Sequence, residues 1–294
     1  MAKEPSFNWQ KFSGLNKVLR PEELGPSDLS VARNVDIDRE NRISRKKGYV
    51  SVMSGNYHSL WAAPDESICL AVKQGTLYRI NDDWTTTALK ADVGDAPMVY
   101  TYVNSTVYFT NNTVIGYVQD EAAHGFTDPA MSFKVATFPG HLISYFNGRL
   151  LIGKENILFF TDALAIGRID MRKGFKQLPQ KLTSILPVDG GVYVSDLADT
   201  YWLAGKGPSD MTIRSVESST IPGSGVVIDG SLHRDGQQGK LALFTTTRGI
   251  CMGTSDGQVV NLTQNKYRIP VAMRGATLVR NEADKRQYVA HLYN

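Results

Sequence analysis

The chain has 294 residues, with 32 Lys and Arg against 29 Asp and Glu, and two cysteines. So even a balance gives no global attraction to nucleic acid or membrane, and two thiols do not build a disulfide scaffold. No apolar run is long enough to cross a bilayer as a helix. The opening, MAKEPSFNWQ, lacks the apolar core of a secretion signal, so the chain is expected to stay in the cytoplasm where it is made, or to be assembled there into something larger.

Residues 1–33 read as an N-terminal extension. Trp9, Phe12, Leu15 and Leu19 give it apolar anchors. These suit either docking on a neighbouring subunit or wrapping along the chain's own surface. Within it, Ser27-Asp28 could cap a short helix through Leu29, Val31 and Ala32. Residues 34–52, NVDIDRENRISRKKGYVSV, read as a hairpin turning at Arg39-Glu40-Asn41.

A repeat begins near residue 59. About every 40 residues an apolar strand leads through a turn to a second strand, and a second turn leads to a third. The five modules cover 59–93, 98–118, 142–162, 182–203 and 240–262. Their first turns are Pro64-Asp65, Asn104-Ser105, Asn147-Gly148, Asp189-Gly190-Gly191 and Thr247-Arg248-Gly249. Asn, Asp and Gly tolerate the positive φ of tight hairpins, and the β-branched and aromatic flanks suit half-buried strands. Residues 162–171 read as loop or a single turn. The longer connections 119–133, 162–181 and 215–238 mix Gly, Pro, Ser and isolated apolar residues, as protein-contact loops do. Residues 276–293 form a last hairpin, turning at 281–285.

No long window shows helical periodicity. The expectation is an all-β protein and a β-propeller, because one module cannot bury its own apolar face and radial stacking leaves only short edges. Five modules plus one blade shared by the N- and C-terminal hairpins make six blades, in one domain spanning 34–294. Five or seven blades, a β-sandwich or a pair of barrels are the other readings.

Motifs for chemistry are sparse. The five histidines are scattered, and the sequence has no HExxH, GxSxG, P-loop or Cys-His zinc spacing. Cys69 and Cys251 sit in apolar strands and read as small buried hydrophobes. Residues 254–258, TSDGQ, read as a turn. Asp36 and Asp38 alternate on one strand face, but the Gly and distal Glu of a calcium loop are missing. No cofactor, metal or catalytic residue is expected. The basic run Arg42, Arg45, Lys46 and Lys47 has two readings. On a strand, Arg45 and Lys47 share one face and Lys46 takes the other. Repeated around an oligomer, these charges would face DNA phosphates without regard to sequence. Alternatively they form a solvated hairpin that keeps an edge strand from pairing, with Asp36, Asp38, Glu40 and Glu282 near enough to neutralise part of the charge.

Both ends carry a resemblance. Gly14-Leu15-Asn16, Pro21 to Leu29 with Gly25, Asn34 to Asp38 and Arg45 to Tyr49 resemble the N-terminal signature of a group of tailed-bacteriophage virion proteins. The ending, Tyr267 to Leu292, is similar to theirs through Arg274-Gly275-Ala276 and Arg286-Gln287-Tyr288. The matched stretches cover under a quarter of the chain and flank the repeats. The resemblance implies a structural protein of the virion tail or head-to-tail neck, nozzle- or hub-like and a β-propeller. It implies a homo-oligomeric ring, hexameric by preference. Its partners would be portal, adaptor, tail-tube or fibre proteins, with non-specific contact to packaged DNA and no membrane. The competing class is a carbohydrate-binding or glycosidase-like propeller. A glycosidase needs carboxylates converging from several blades, yet the inner strands carry few acids. A lectin needs aromatics at equivalent positions, and Trp61, Trp84 and Trp202 do not occupy them.

Overall fold

The computed structural model describes residues 11–38, 40–233, 236–264, 266–282 and 285–294. The chain divides into two compact units. One contains Val50–Thr220 with Ser255–Gln258; the other contains the residues up to Tyr49, Ile221–Thr254 and Val259–Asn294.

The Val50–Thr220 unit is built from four consecutive four-stranded antiparallel sheets, each a blade of the propeller type. Their first strands are His58–Ala62, Val99–Val103, Leu142–Phe146 and Leu182–Val188. The expected turns fall where Asn and Gly stand. Asn104 and Ser105 take φ of 47° and 61°, and Asn147 and Gly148 take 45° and 78°, the left-handed pair that a two-residue hairpin needs. In the second sheet Val107 pairs with Tyr102 on one side and Val118 on the other.

Alternation along these strands sends one set of side chains against each neighbouring sheet. Leu70, Val72 and Leu77 of the first sheet pack with Val107, Phe109 and Val118 of the second. Ile115 of the second reaches Ile152 and Phe159 of the third. Phe146, Leu151 and Leu158 of the third meet Ile185, Val192 and Leu203 of the fourth. Each fully buried side chain of this size contributes about 1.5–3 kcal/mol of transfer free energy. The first strands of the second, third and fourth sheets lie side by side, as inner strands of successive blades do. The segment expected as loop after Asp162 contains the strand Arg168–Asp170, which pairs with Lys134–Ala136.

In the other unit, a fifth four-stranded sheet runs Val226–Asp229, Lys240–Thr246, Gly249–Gly253 and Val259–Asn261. Lys240–Thr246, expected as the opening strand of its module, is the second. Val227 pairs with Ala242 on its other side, inside a stretch expected to be an exposed connection. Both terminal hairpins form, but not as one blade. Val35–Ile37 pairs with Ile43–Arg45, and Arg274–Glu282 pairs with Lys285–Tyr293, as separate two-stranded sheets. Among the described residues, side chains and not a backbone ladder join them.

The extension also differs from expectation. The proposed helix over Leu29–Ala32 is absent; a single 3-10 turn spans Pro21–Glu23, and Asp28–Leu29 is extended and pairs in parallel with Gly14–Leu15. Asp28 does not cap a helix: its carboxylate accepts the Gly25 amide and the Ser13 hydroxyl. The Phe12 amide donates to the Asn41 carbonyl, the Lys17 amide to the Lys266 carbonyl, and Lys266 Nζ to the Ser13 carbonyl. Residues 11–33 thus lie along their own unit.

Candidate functional site: the meeting of the chain ends

The residues that carry the resemblance converge in the unit holding both ends. Asp36, nearly buried, sits at their centre. Its Oδ2 accepts Lys285 Nζ and Arg280 Nη1, both at 3.0 Å. Arg280 also forks onto Glu282, with Nη2 to Oε2 at 2.6 Å. The Lys285 hydrogen bond, outweighing the opposing push of desolvation and aided by Arg280, holds the Asp36 carboxyl below the ordinary carboxylate range. Gln287 Nε2 reaches the Ile37 carbonyl at 3.5 Å. Tyr288 Oη meets Thr245 Oγ1 at 2.7 Å and donates to the Ser224 carbonyl at 2.5 Å. The Gly275 amide donates to the Pro222 carbonyl at 2.7 Å. A Cβ on Gly223 would stand 2.0 Å from the Gly275 oxygen, and Gly223 has φ of +79°, so only glycine fits there.

The basic run is dispersed. Arg42 bonds Asp38 through Nε at 2.8 Å and Glu40 through Nη1 at 3.1 Å. Arg45 ends its strand, and Lys46 and Lys47 lie beyond it, so the expected two-face arrangement on one strand does not form. Lys46 Nζ lies 5.0 Å from the Tyr49 ring centroid. Lys47 is exposed and helps to lower the Glu282 carboxyl, after the larger effect of the Arg280 bond. Arg45 is exposed as well, and among the described residues no side-chain hydrogen bond or ion pair holds Arg45 or Lys47. Among the proposed anchors, Phe12 and Leu15 are half-buried in their own unit and Leu19 is exposed; Trp9 lies outside the described residues.

The Asp36 and Asp38 pair faces cations and amides of this chain. Asp38 Oδ1 accepts the amides of Glu40 and Arg42, both at 2.9 Å. Among the described residues no three His, Cys, Asp or Glu side chains gather as a metal site, and no helix is long and apolar enough to cross a membrane. Both cysteines are thiols; Cys251 is buried and Cys69 half-buried, its thiol pushed up by burial. Two cavities flank the last hairpin. One, about 310 Å³, has walls that include Ile37, Ile228 and Leu243, with Asp38, Asn281 and Arg286 among its polar groups. The other, about 570 Å³, lies over Val35, Ile250, Tyr267 and Leu292. Sequence reasoning found Asp36 as one of four acids neutralising the basic patch; Arg280 as its partner carried no local signal.

No protein-family model matches the chain, and no curated protein does. Solved structures do resemble it. BBS1N, crystallised in complex with ARL6DN, matches with a TM-score of 0.52 at 11% identity, over 88% of this chain and 83% of that one. A virginiamycin B lyase from Staphylococcus aureus matches with 0.49 at 16% identity, over 77% and 75%. A gluconolactonase from Xanthomonas campestris matches with 0.45 at 11% identity, over 76% and 79%. The chain is an all-β protein of the β-propeller class. Likeness at this level speaks to fold alone.

Proposed function

We propose that the protein is a structural component of a tailed-bacteriophage virion, in the tail or the head-to-tail neck, acting through protein contacts as a homo-oligomeric ring, hexameric by preference. One observation supports this most. The stretches that resemble virion proteins, though at opposite ends of the sequence, meet around Asp36, Arg280 and Lys285 in one unit. Asp36, Arg280 and Lys285 are spent on one another, and on this reading recognition falls to loops on a rigid scaffold. Portal, adaptor, tail-tube or fibre proteins are the partners on this reading. The exposed Arg45 and Lys47 are the cations of the run left for packaged DNA. The protein is not an enzyme on this reading, and its place is the virion, after synthesis in the host cytoplasm.

The test is cryo-electron microscopy of particles from a phage encoding this chain, with native mass spectrometry of the purified protein. Density for the chain in the tail or neck, and a ring-sized mass in solution, are expected. Particles lacking the chain would overturn the proposal.

A further inference from the structure

A cavity of about 310 Å³ in the Val50–Thr220 unit is lined by Lys134, Arg149, Asp162, Arg168, Asp170 and Lys173. Four cations there meet two carboxylates, and a fifth cation just outside the lining, Arg172, takes one of those carboxylates, so the surplus is three positive charges. The pairing is uneven. Asp162 Oδ2 takes both Lys134 Nζ and, at 2.9 Å, Arg168 Nε. Asp170 is chelated by Arg172, the fifth cation: Nε lies 3.1 Å from Oδ1 and Nη2 2.8 Å from Oδ2. Arg149 gives Nη1 to the Thr161 carbonyl at 2.7 Å, a neutral acceptor that leaves its charge unanswered. Lys173 is exposed, and no hydrogen bond or ion pair among the described residues engages its amine. Both carboxylates stay ionised near neutral pH. Burial pushes Asp162 up, but Lys134 and Arg168 outweigh it, and the Arg172 bond holds Asp170 far below the usual range. The surplus therefore persists.

We propose that this cavity binds a phosphate group, taken by Arg149 and Lys173. A tetrahedral dianion matches the two cations, Arg149 and Lys173, that no carboxylate of the cavity engages. The guanidinium fork suits phosphate oxygens, and a lysine adds a point charge. Ser209 supplies a hydroxyl in the same wall. At about 30 Å³ per water, the space holds a phosphate with part of the group that bears it. The phosphate comes either from a small phosphate ester or from a nucleic-acid backbone. This inference does not depend on the virion reading.

Titration calorimetry of the full chain at low ionic strength tests it, with inorganic phosphate, acetate and a short DNA duplex as probes. Phosphate should bind and acetate should not. Lys173→Glu, at a position with no partner to lose, should weaken phosphate by at least about tenfold; Arg149→Gln should weaken it too, with folding checked by circular dichroism. If the duplex binds and phosphate competes with it, the backbone is the source; if phosphate binds and the duplex does not, a small ester is. Absence of phosphate binding to the wild type, or equal binding by Lys173→Glu, overturns the proposal.

Discussion

Asp36→Asn removes one negative charge from the junction of the chain ends while keeping the shape of the side chain. Asp36 is 4% exposed, whereas the side chains of Arg280 and Lys285 are 18% and 21% exposed, so water screens the pair in part. Arg280 also keeps Glu282, and Lys285 keeps Ser44 Oγ at 3.3 Å. The expected loss is therefore below that of a fully buried pair, about 1–2 kcal/mol. The sign with pH follows from the lowered Asp36 carboxyl. Its contribution is complete above the unfolded-state value and is lost as pH falls through the lower folded value. Urea unfolding of wild type and Asp36→Asn at a series of pH values measures this. The gap in midpoint should be constant from pH 7 to about pH 5 and close at the acid end. A gap that is absent at pH 7, or that stays open at the lowest pH, would refute the assignment of Asp36 as the charged latch.

Three further substitutions probe the packing. Phe109→Ala empties a fully buried position between the first and second sheets and should cost about 3–5 kcal/mol in urea unfolding. Gly257→Ala places a Cβ 2.3 Å from the Trp202 indole at a φ of +86°; about 1–3 kcal/mol of destabilisation and a changed near-ultraviolet dichroism signal are expected. Tyr288→Phe strands Thr245 Oγ1 and the Ser224 carbonyl and should cost about 1 kcal/mol in the same assay.

The hairpins were legible because their turn residues are local. Asn147-Gly148 states its φ in its own chemistry, and strand registers follow from such turns. The fifth sheet was misread by one strand because Val226–Asp229 is short and set among Gly223, Gly225 and Gly230, which look like loop. Arg168–Asp170 escaped for a related reason: three residues carry no periodicity, and their partner strand is Lys134–Ala136. Asp28 looked like a helix cap because a carboxylate can accept an amide in either setting; the distant Ser13 hydroxyl decided the outcome. The charged cavity was invisible as a motif, since its cations are spread from Lys134 to Lys173 and only tertiary folding gathers them. The pairing of the two ends was anticipated in kind, but the form expected was a shared ladder. The observed tie uses side chains, whose reach cannot be read from strand propensity.

That tie spans 244 positions between Asp36 and Arg280, and 249 between Asp36 and Lys285. A growing polypeptide therefore releases Asp36 long before either cation has been synthesised. The repeats in between close on near neighbours and can fold as they emerge, but this carboxylate must wait in water until residue 285 clears the ribosome. A ribosome stalled before codon 280 would leave the early hairpin without its anchor, so maturation of this unit is timed by translation of its final stretch.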